Sequence, residues 1–229
     1  MMERRAADLG ADGLGRLIVP AVAGGLAWAV RGHTSRSHTV RLLLGSFLAA
    51  NELVWYAYRL RTEGFRFPEG LPLHLCDFTL WLTVIAALRL NQWCFEFAFF
   101  TGIGGSSQAI LTPDLWEAFP SYPTVYFFVA HCTVVITVLF LAWSHIVRPK
   151  PGCLWRTFLL LNGFAALAAV FNAIFGTNYM YLCRKPESAS LLDYFGPWPW
   201  YIATGELFAL AIFTLLWLPF RRNVHATSA

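Results

Sequence analysis

The sequence predicts an all-α protein built for the bilayer, a polytopic membrane helix bundle with about seven transmembrane helices. Two observations carry that expectation. Of 229 residues, 57% are hydrophobic and 13% charged, and the mean hydropathy is +0.53, a balance outside that of water-soluble domains. The apolar residues also fall into runs close to the ~20 residues a helix needs to cross a ~30 Å hydrocarbon core. Aromatic residues reach 17%, with 20 Phe and 10 Trp, which suits lipid-facing surface and anchors at headgroup level.

The expected spans are approximately 15–31, 42–59, 71–90, 93–112, 124–147, 154–176 and 198–220. The first is short and interrupted by Pro20 and Gly24-Gly25. The second carries Asn51-Glu52. The third opens Leu71-Pro72-Leu73-His74-Leu75-Cys76-Asp77, with Pro72 at a helix start, where its missing N–H costs nothing. The fourth contains Gly102-Ile103-Gly104-Gly105-Ser106-Ser107-Gln108, which lacks bulky side chains after Ile103 and so permits close helix approach or a local break. His131 lies in the fifth span, Gly176 closes the sixth, and the seventh grows out of Gly196-Pro197-Trp198-Pro199-Trp200-Tyr201. No internal repeat, low-complexity stretch or linker divides the chain, so a single transmembrane helical domain over 1–229 is the economical reading.

Several function classes are disfavoured. The net charge of +4 comes from 17 Lys and Arg scattered between apolar runs, which is no nucleic-acid footprint. The 5 cysteines, at 76, 94, 132, 153 and 183, show neither a C-x-x-C pair nor zinc-ribbon spacing, and their odd number argues against a disulfide framework. Met1 to Arg16 is too polar for a signal h-region. With seven spans, one side holds Arg31, Arg36, Arg41, Arg89, Arg148, Lys150, Arg156, Arg221 and Arg222 and no acids. That slight excess favours an outside N-terminus and a cytoplasmic C-terminus.

Ionisable groups inside spans are costly and face the bundle interior or a wet cavity, so their depth is informative. At about 1.5 Å per residue, Cys76 lies roughly 8 Å inside the outer end of its span, His131 about 10 Å, Glu52 about 9 Å, Gln108 about 6 Å and Glu206 about 12 Å. Five helices thus bring polar side chains to similar depth, which predicts one polar pocket in the outer half of the bundle. His74 and Asp77 share a face of their helix, whereas Cys76 points elsewhere and must find a base on another helix. His131 has the right depth, and a Cys–His pair makes a thiolate nucleophile for acyl transfer. Taken singly, each residue has an ordinary reading: a buried small cysteine, a hydrogen-bonded bundle histidine, interhelical hydrogen bonds from Glu52 and Glu206. Glu96 and His145, near the inner ends, read as structural, accommodated by snorkelling or a helix terminus.

The motifs Leu71-Pro72-Leu73-His74-Leu75-Cys76, Tyr126-Phe127-Phe128 ahead of His131, Gly176-Thr177-Asn178-Tyr179-Met180-Tyr181-Leu182, Lys185-Pro186 and Gly196-Pro197-Trp198-Pro199-Trp200-Tyr201 resemble the bacterial YwaF family. That family is similar to the eukaryotic transmembrane protein 164 family, and the likeness extends from about residue 40 to 220. The resemblance implies a phospholipid acyltransferase of a bacterial cytoplasmic membrane, with Cys76 as nucleophile and His131 as base. Its partners would be membrane phospholipids and lysophospholipids, with no cofactor and no metal. Asn178, Tyr179 and Tyr201 would bind the headgroup or donate to an oxyanion, with His74, Asp77, Glu52, Gln108 and Glu206 lining the substrate site.

Two other classes remain open at the level of sequence. A lipid hydrolase would either use the same cysteine with water as the acyl acceptor or, as a metal-dependent enzyme, draw on His74, Cys76, Asp77, His131, Cys132 and Glu206 as zinc ligands. Against the metal-dependent form, seven-helix zinc amidases resembling alkaline ceramidases carry an H-x-x-x-H pair in the last span, and this last span has no histidine. A non-catalytic lipid-binding protein or transporter would use the same pocket without chemistry, but the Gly102 to Gly105 interruption has no counterpart in another half of the chain. Oligomeric state leaves no signal in the sequence.

Overall fold

A computed structural model describes residues 18–115, 117–188 and 190–224, the last three without their side chains. Every described regular element is helical. Helix α1, Ile18–Val30, is apolar but short, and residues 15–17 of the first expected span lie outside the described residues. It is followed by α2 (Thr34–Thr62), α3 (Leu75–Arg89), α4 (Gln92–Thr101), a π turn (Gly102–Ser106), α5 (Ser107–Leu111), α6 (Tyr122–Trp143), α7 (Cys153–Phe175) and α8 (Trp200–Trp217). Tyr122–Trp143, Cys153–Phe175 and Trp200–Arg221 are each long and apolar enough to cross a bilayer. A helical membrane bundle is therefore the architecture, with a helix at each of the seven expected spans.

Local chemistry explains the boundaries. Asn91 caps α4 by accepting from the N–H groups of Trp93 and Cys94, both at 3.0 Å, and Ser121 caps α6 ahead of Pro123. Gly176, at φ +71°, ends α7 in the left-handed conformation that glycine adopts without a Cβ penalty. Helix α3 begins at Leu75, three residues beyond Pro72, because His74 is the N-cap and the Asp77 carboxylate reaches back to its N–H at 3.2 Å. At the far end of α3, the buried Arg41 of α2 donates to the carbonyls of Ala87 and Leu88. A cation thus sits on the negative end of that helix dipole.

The centre of the bundle is α2, α3, α6 and the α4–π–α5 run. Phe95, Phe97, Phe100, Phe140 and Leu141 are sealed within it. Threonines stitch α3 to α4 within this centre: Thr79 Oγ1 donates to Thr101 Oγ1 at 2.9 Å, and Thr101 Oγ1 donates to the Phe97 carbonyl at 2.8 Å. Glu96 is buried rather than snorkelling. It accepts from Gln92 Nε2 at 2.9 Å and Lys150 N at 3.0 Å, and pairs with Arg156 at 2.7 Å. Helices α7 and α8 lean on this centre through α4 and the π turn.

Candidate functional site at the head of α3

Helices α3, α6 and α8 start at the end that holds Cys76, while α2, α4–α5 and α7 finish there. The Gly102–Ser106 stretch neither breaks the helix nor merely slims it, but widens it into a π turn, a feature that often marks functional positions. Gly102 sets the register of its neighbours: a Cβ on it would lie 3.0 Å from Val134 Cγ1 of α6 and 3.6 Å from Thr79 Cγ2 of α3. Residues three apart on a helix stand roughly one above the other, about 4.5 Å along the axis. Cys76 precedes Thr79 by three and His131 precedes Val134 by three. Both therefore lie at one level, one turn nearer the start of their helices.

On the neighbouring wall, the same step leads from Gly102 to Gly105, which is exposed and has nothing within 4 Å of a built Cβ. Cys76 is exposed too. Its electrostatic neighbours are Asp77 on its own helix, Glu52 on α2, Tyr126 on α6 and Tyr181 of the α7–α8 loop. Protein thus lies on several sides of Cys76, which nonetheless keeps exposed surface. Cys76 lies in the first turn of α3, where backbone N–H groups lack helical partners and favour negative charge. No hydrogen bond joins Cys76 to His131 among the described residues.

His131 is 8% exposed, and its Nδ1 lies 2.7 Å from the carbonyl oxygen of Phe127. A carbonyl only accepts, so Nδ1 carries the hydrogen and Nε2 keeps its lone pair, the tautomer a general base needs. One residue earlier on α6, the Tyr126 phenol donates to Glu52, which is 0% exposed. Trp55 stacks on Tyr126 with 4.3 Å between centroids, and Trp81 Nε1 donates to the Tyr56 hydroxyl at 3.0 Å. The second oxygen of Glu52 and the side-chain nitrogen of Asn51 are buried without a partner.

The loops close over this end through Tyr179 and Tyr181. Asn172, near the end of α7, accepts from Thr177 Oγ1 at 2.7 Å and Tyr179 N at 2.8 Å and donates to the Tyr179 carbonyl at 3.0 Å. So held, the Tyr179 hydroxyl donates to the Pro68 carbonyl at 2.7 Å and accepts from Leu71 N at 3.1 Å, tying the α7–α8 loop to the α2–α3 loop. Met180 and Tyr181 both have positive φ, 57° and 54°, an uncommon strain for non-glycine residues. The Tyr181 hydroxyl donates to Asp114 at 2.8 Å, and burial together with the Asp114 carboxylate pushes its phenol well above the ordinary value, so it stays a donor. The Tyr201 hydroxyl donates to the Tyr181 carbonyl, under the ammonium of Lys185, 5.5 Å from the ring. The His74 ring meets Tyr179 at 5.0 Å and Tyr181 at 5.8 Å.

The polar residues expected to share one pocket divide into groups. Cys76, Asp77, Glu52 and His74 gather at the head of α3, with Arg59 in electrostatic reach of His74 and Asp77. Glu206 pairs instead with Asn162 of α7 at 2.9 Å, and Asn178 stitches its own loop through the backbone of Cys183 and Arg184. The Gln108 side chain makes no hydrogen bond among the described residues; its backbone carbonyl accepts from the Thr112 hydroxyl and N–H. Sequence reading passed over Arg59, Tyr181 and Asp114, whose roles depend on loop paths, and Asn172, which is visible as a lone amide inside an apolar run. Among the described residues, no group of three or more His, Cys, Asp or Glu is placed to hold a metal ion.

No solved structure matches the chain. An uncharacterized protein of Treponema pallidum (strain Nichols) is 28% identical over 167 residues, covering 71% of this chain and 67% of the relative. The profile of the TMEM164 family matches residues 14–217, nearly the whole bundle with the head of α3, the π turn and both capping loops inside it, and the chain belongs to that family.

Proposed function

We propose that this protein is an intramembrane lipid acyltransferase, of the YwaF branch, that moves fatty acyl chains between phospholipids through Cys76 and His131. The observation that carries the reading is the shared packing of Thr79 and Val134 on Gly102, from which Cys76 and His131, each three residues nearer the start of its helix, fall at one level of the bundle; the exposure of Cys76 leaves its sulfur reachable. The His131 tautomer and the position of Cys76 in the first turn of α3 support the same pairing.

In the first half-reaction the Cys76 sulfur attacks the ester carbonyl of a donor phospholipid while His131 Nε2 takes the thiol proton. The negative oxygen that forms faces the free N–H groups of the first turn of α3. Collapse breaks the ester C–O bond, the proton passes from His131 to the departing oxygen, and a lysophospholipid leaves behind a thioester. In the second half-reaction His131 removes a proton from the hydroxyl of an acceptor lysophospholipid, whose oxygen attacks the thioester and returns the sulfur to a thiol with that proton. Arg59, in electrostatic reach of His74, Asp77 and Tyr179, is placed to attract the donor phosphate. In this reading the site faces the outer leaflet, with the C-terminus cytoplasmic.

Purified protein in lipid vesicles, supplied with a phospholipid carrying a labelled acyl chain and an unlabelled lysophospholipid, tests this by mass spectrometry. Label should appear in the acceptor. Replacement of Cys76 by Ala should cut transfer at least about a thousandfold while lipid binding persists, and His131→Ala should act similarly. Retained turnover in Cys76→Ala would reject the covalent scheme, and label found in free fatty acid alone would make the protein a hydrolase.

A further inference from the structure

The opposite end of the bundle carries a concavity that plays no part in the chemistry at Cys76. His145 lies two residues beyond the end of α6 at Trp143, which is itself about 18 Å from His131 along the helix axis. Between α1 and this end of α6 lies a cavity of about 560 Å³, lined by Gly24, Ala27, Trp28, Arg31, Trp143 and His145, in the size range of small-molecule sites. Gly24 makes the space: its Cα lies under the Trp143 ring, and a built Cβ would come within 3.6 Å of that ring. Trp28 and Trp143 are both exposed. Arg31 and His145 are exposed as well, and neither side chain is tied to another described residue. His145 also holds a left-handed backbone, φ +59°, which residues with a Cβ adopt at some cost.

The charges around the notch have one sign. Arg31, Arg36, Arg89, Arg148 and Lys150 belong to this end, where the described carboxylate, Glu96, is buried and neutralised by Arg156. A guanidinium without a partner among the described residues, framed by two exposed indoles of the kind that favour headgroup level, suits a phosphate esterified to lipid. We propose that this notch binds the phosphate of a membrane phospholipid, with Arg31 as the main ligand and Trp28 and Trp143 flanking the glycerol. The site is separate from the acyl-transfer site and stands whether or not Cys76 is a nucleophile.

The full chain in detergent micelles, titrated with a short-chain phosphatidylglycerol and followed by native mass spectrometry, tests the proposal. Arg31→Gln should weaken binding by about tenfold, whereas Arg148→Gln and Cys76→Ala should bind like the unmodified protein, and a diacylglycerol without phosphate should bind poorly to all. His145→Gln gives a second variant if Arg31→Gln does not fold, and it should weaken binding severalfold. Equal binding by the Arg31 and His145 variants and unmodified protein, or equal loss in Arg148→Gln, would overturn the site. Saturation by inorganic phosphate alone with the same dependence on Arg31 would overturn the lipid and leave a small phosphate-bearing solute as the ligand.

Discussion

Helices α6, α7 and α8 are alike as sequence, three long apolar runs, yet they live in different surroundings. In the apolar stretch of α6, 56% of residues are buried inside the protein, against 17% in α7 and 11% in α8. Hydropathy reports that a segment prefers lipid to water; it does not report whether lipid or another helix covers it. What separates the two regions is small-residue packing. Gly45 of α2 lies so close to α3 that a Cβ would come within 2.9 Å of Ala87 Cβ and 3.0 Å of Leu88 Cδ2, and Gly102 closes α4 on α6 in the same way. Gly163 of α7 has nothing within 4 Å.

The sharpest test of that difference is Gly45→Val. It adds three carbons where the first already meets α3, so the α2–α3 seam must open. The expected cost is about 3 kcal/mol, read as a fall in unfolding midpoint in detergent. A variant with unchanged stability would mean that the seam is soft and that the two regions do not differ in the way described.

A smaller loss is expected from Tyr126→Phe. The change keeps the ring stacked on Trp55 but removes the donor to the buried Glu52, leaving that carboxyl with fewer partners. The expected destabilisation is about 1–3 kcal/mol. Because Phe127, the next residue, holds His131 through its carbonyl, acyl transfer should also fall, with kcat dropping more than KM rises. If Glu52→Gln restored turnover to Tyr126→Phe, charge on Glu52 rather than the position of α6 would be the cause.

On the lipid-facing side the matching pair is Asn162 and Glu206, whose hydrogen bond joins α7 to α8 at 2.9 Å. Interhelical polar contacts in membranes average only about 0.6 kcal/mol, because the separated helices find other partners. Asn162→Leu should therefore shift the unfolding midpoint by little. A loss as large as that of Tyr126→Phe would show that α7 and α8 are held as firmly as the centre.

Seven helical segments were legible because lipid demands long apolar runs, and α1, α3, the α4–π–α5 run, α6, α7 and α8 start and end within a few residues of the expected ranges, α2 alone starting earlier, at Thr34. A common level for Cys76 and His131 follows from the rise per residue in sequence, and the Gly102 contacts to Thr79 and Val134 are consistent with it. Partnership was not legible. Glu52 and Glu206 stand at similar depth, yet one meets Tyr126 of α6 and the other Asn162 of α7, and depth along an axis says nothing about rotation around the bundle. The three glycines of 102–105 announced an irregularity, but a π turn, a break and plain close packing ask for the same residues. The capping loops were least legible: Asn178 looks like a ligand in sequence, and three hydrogen bonds to its own loop answer its polarity.

The smallest expected effect discriminates most finely between the two regions. Gly163→Ala adds one methyl in mid-helix, where the built Cβ meets no atom within 4 Å, so sterics contribute nothing. What remains is the backbone entropy that glycine loses on entering a helix, about 0.5–1 kcal/mol relative to alanine in water and less in lipid, where the unfolded reference is itself helical. A gain of a few tenths of a kcal/mol in detergent, with unchanged acyl transfer, is the result expected of a helix bathed in lipid. A loss would mean that another surface, such as a second copy of the chain, packs against α7 at that glycine, and the division between a protein-covered centre and a lipid-covered flank would have to be redrawn.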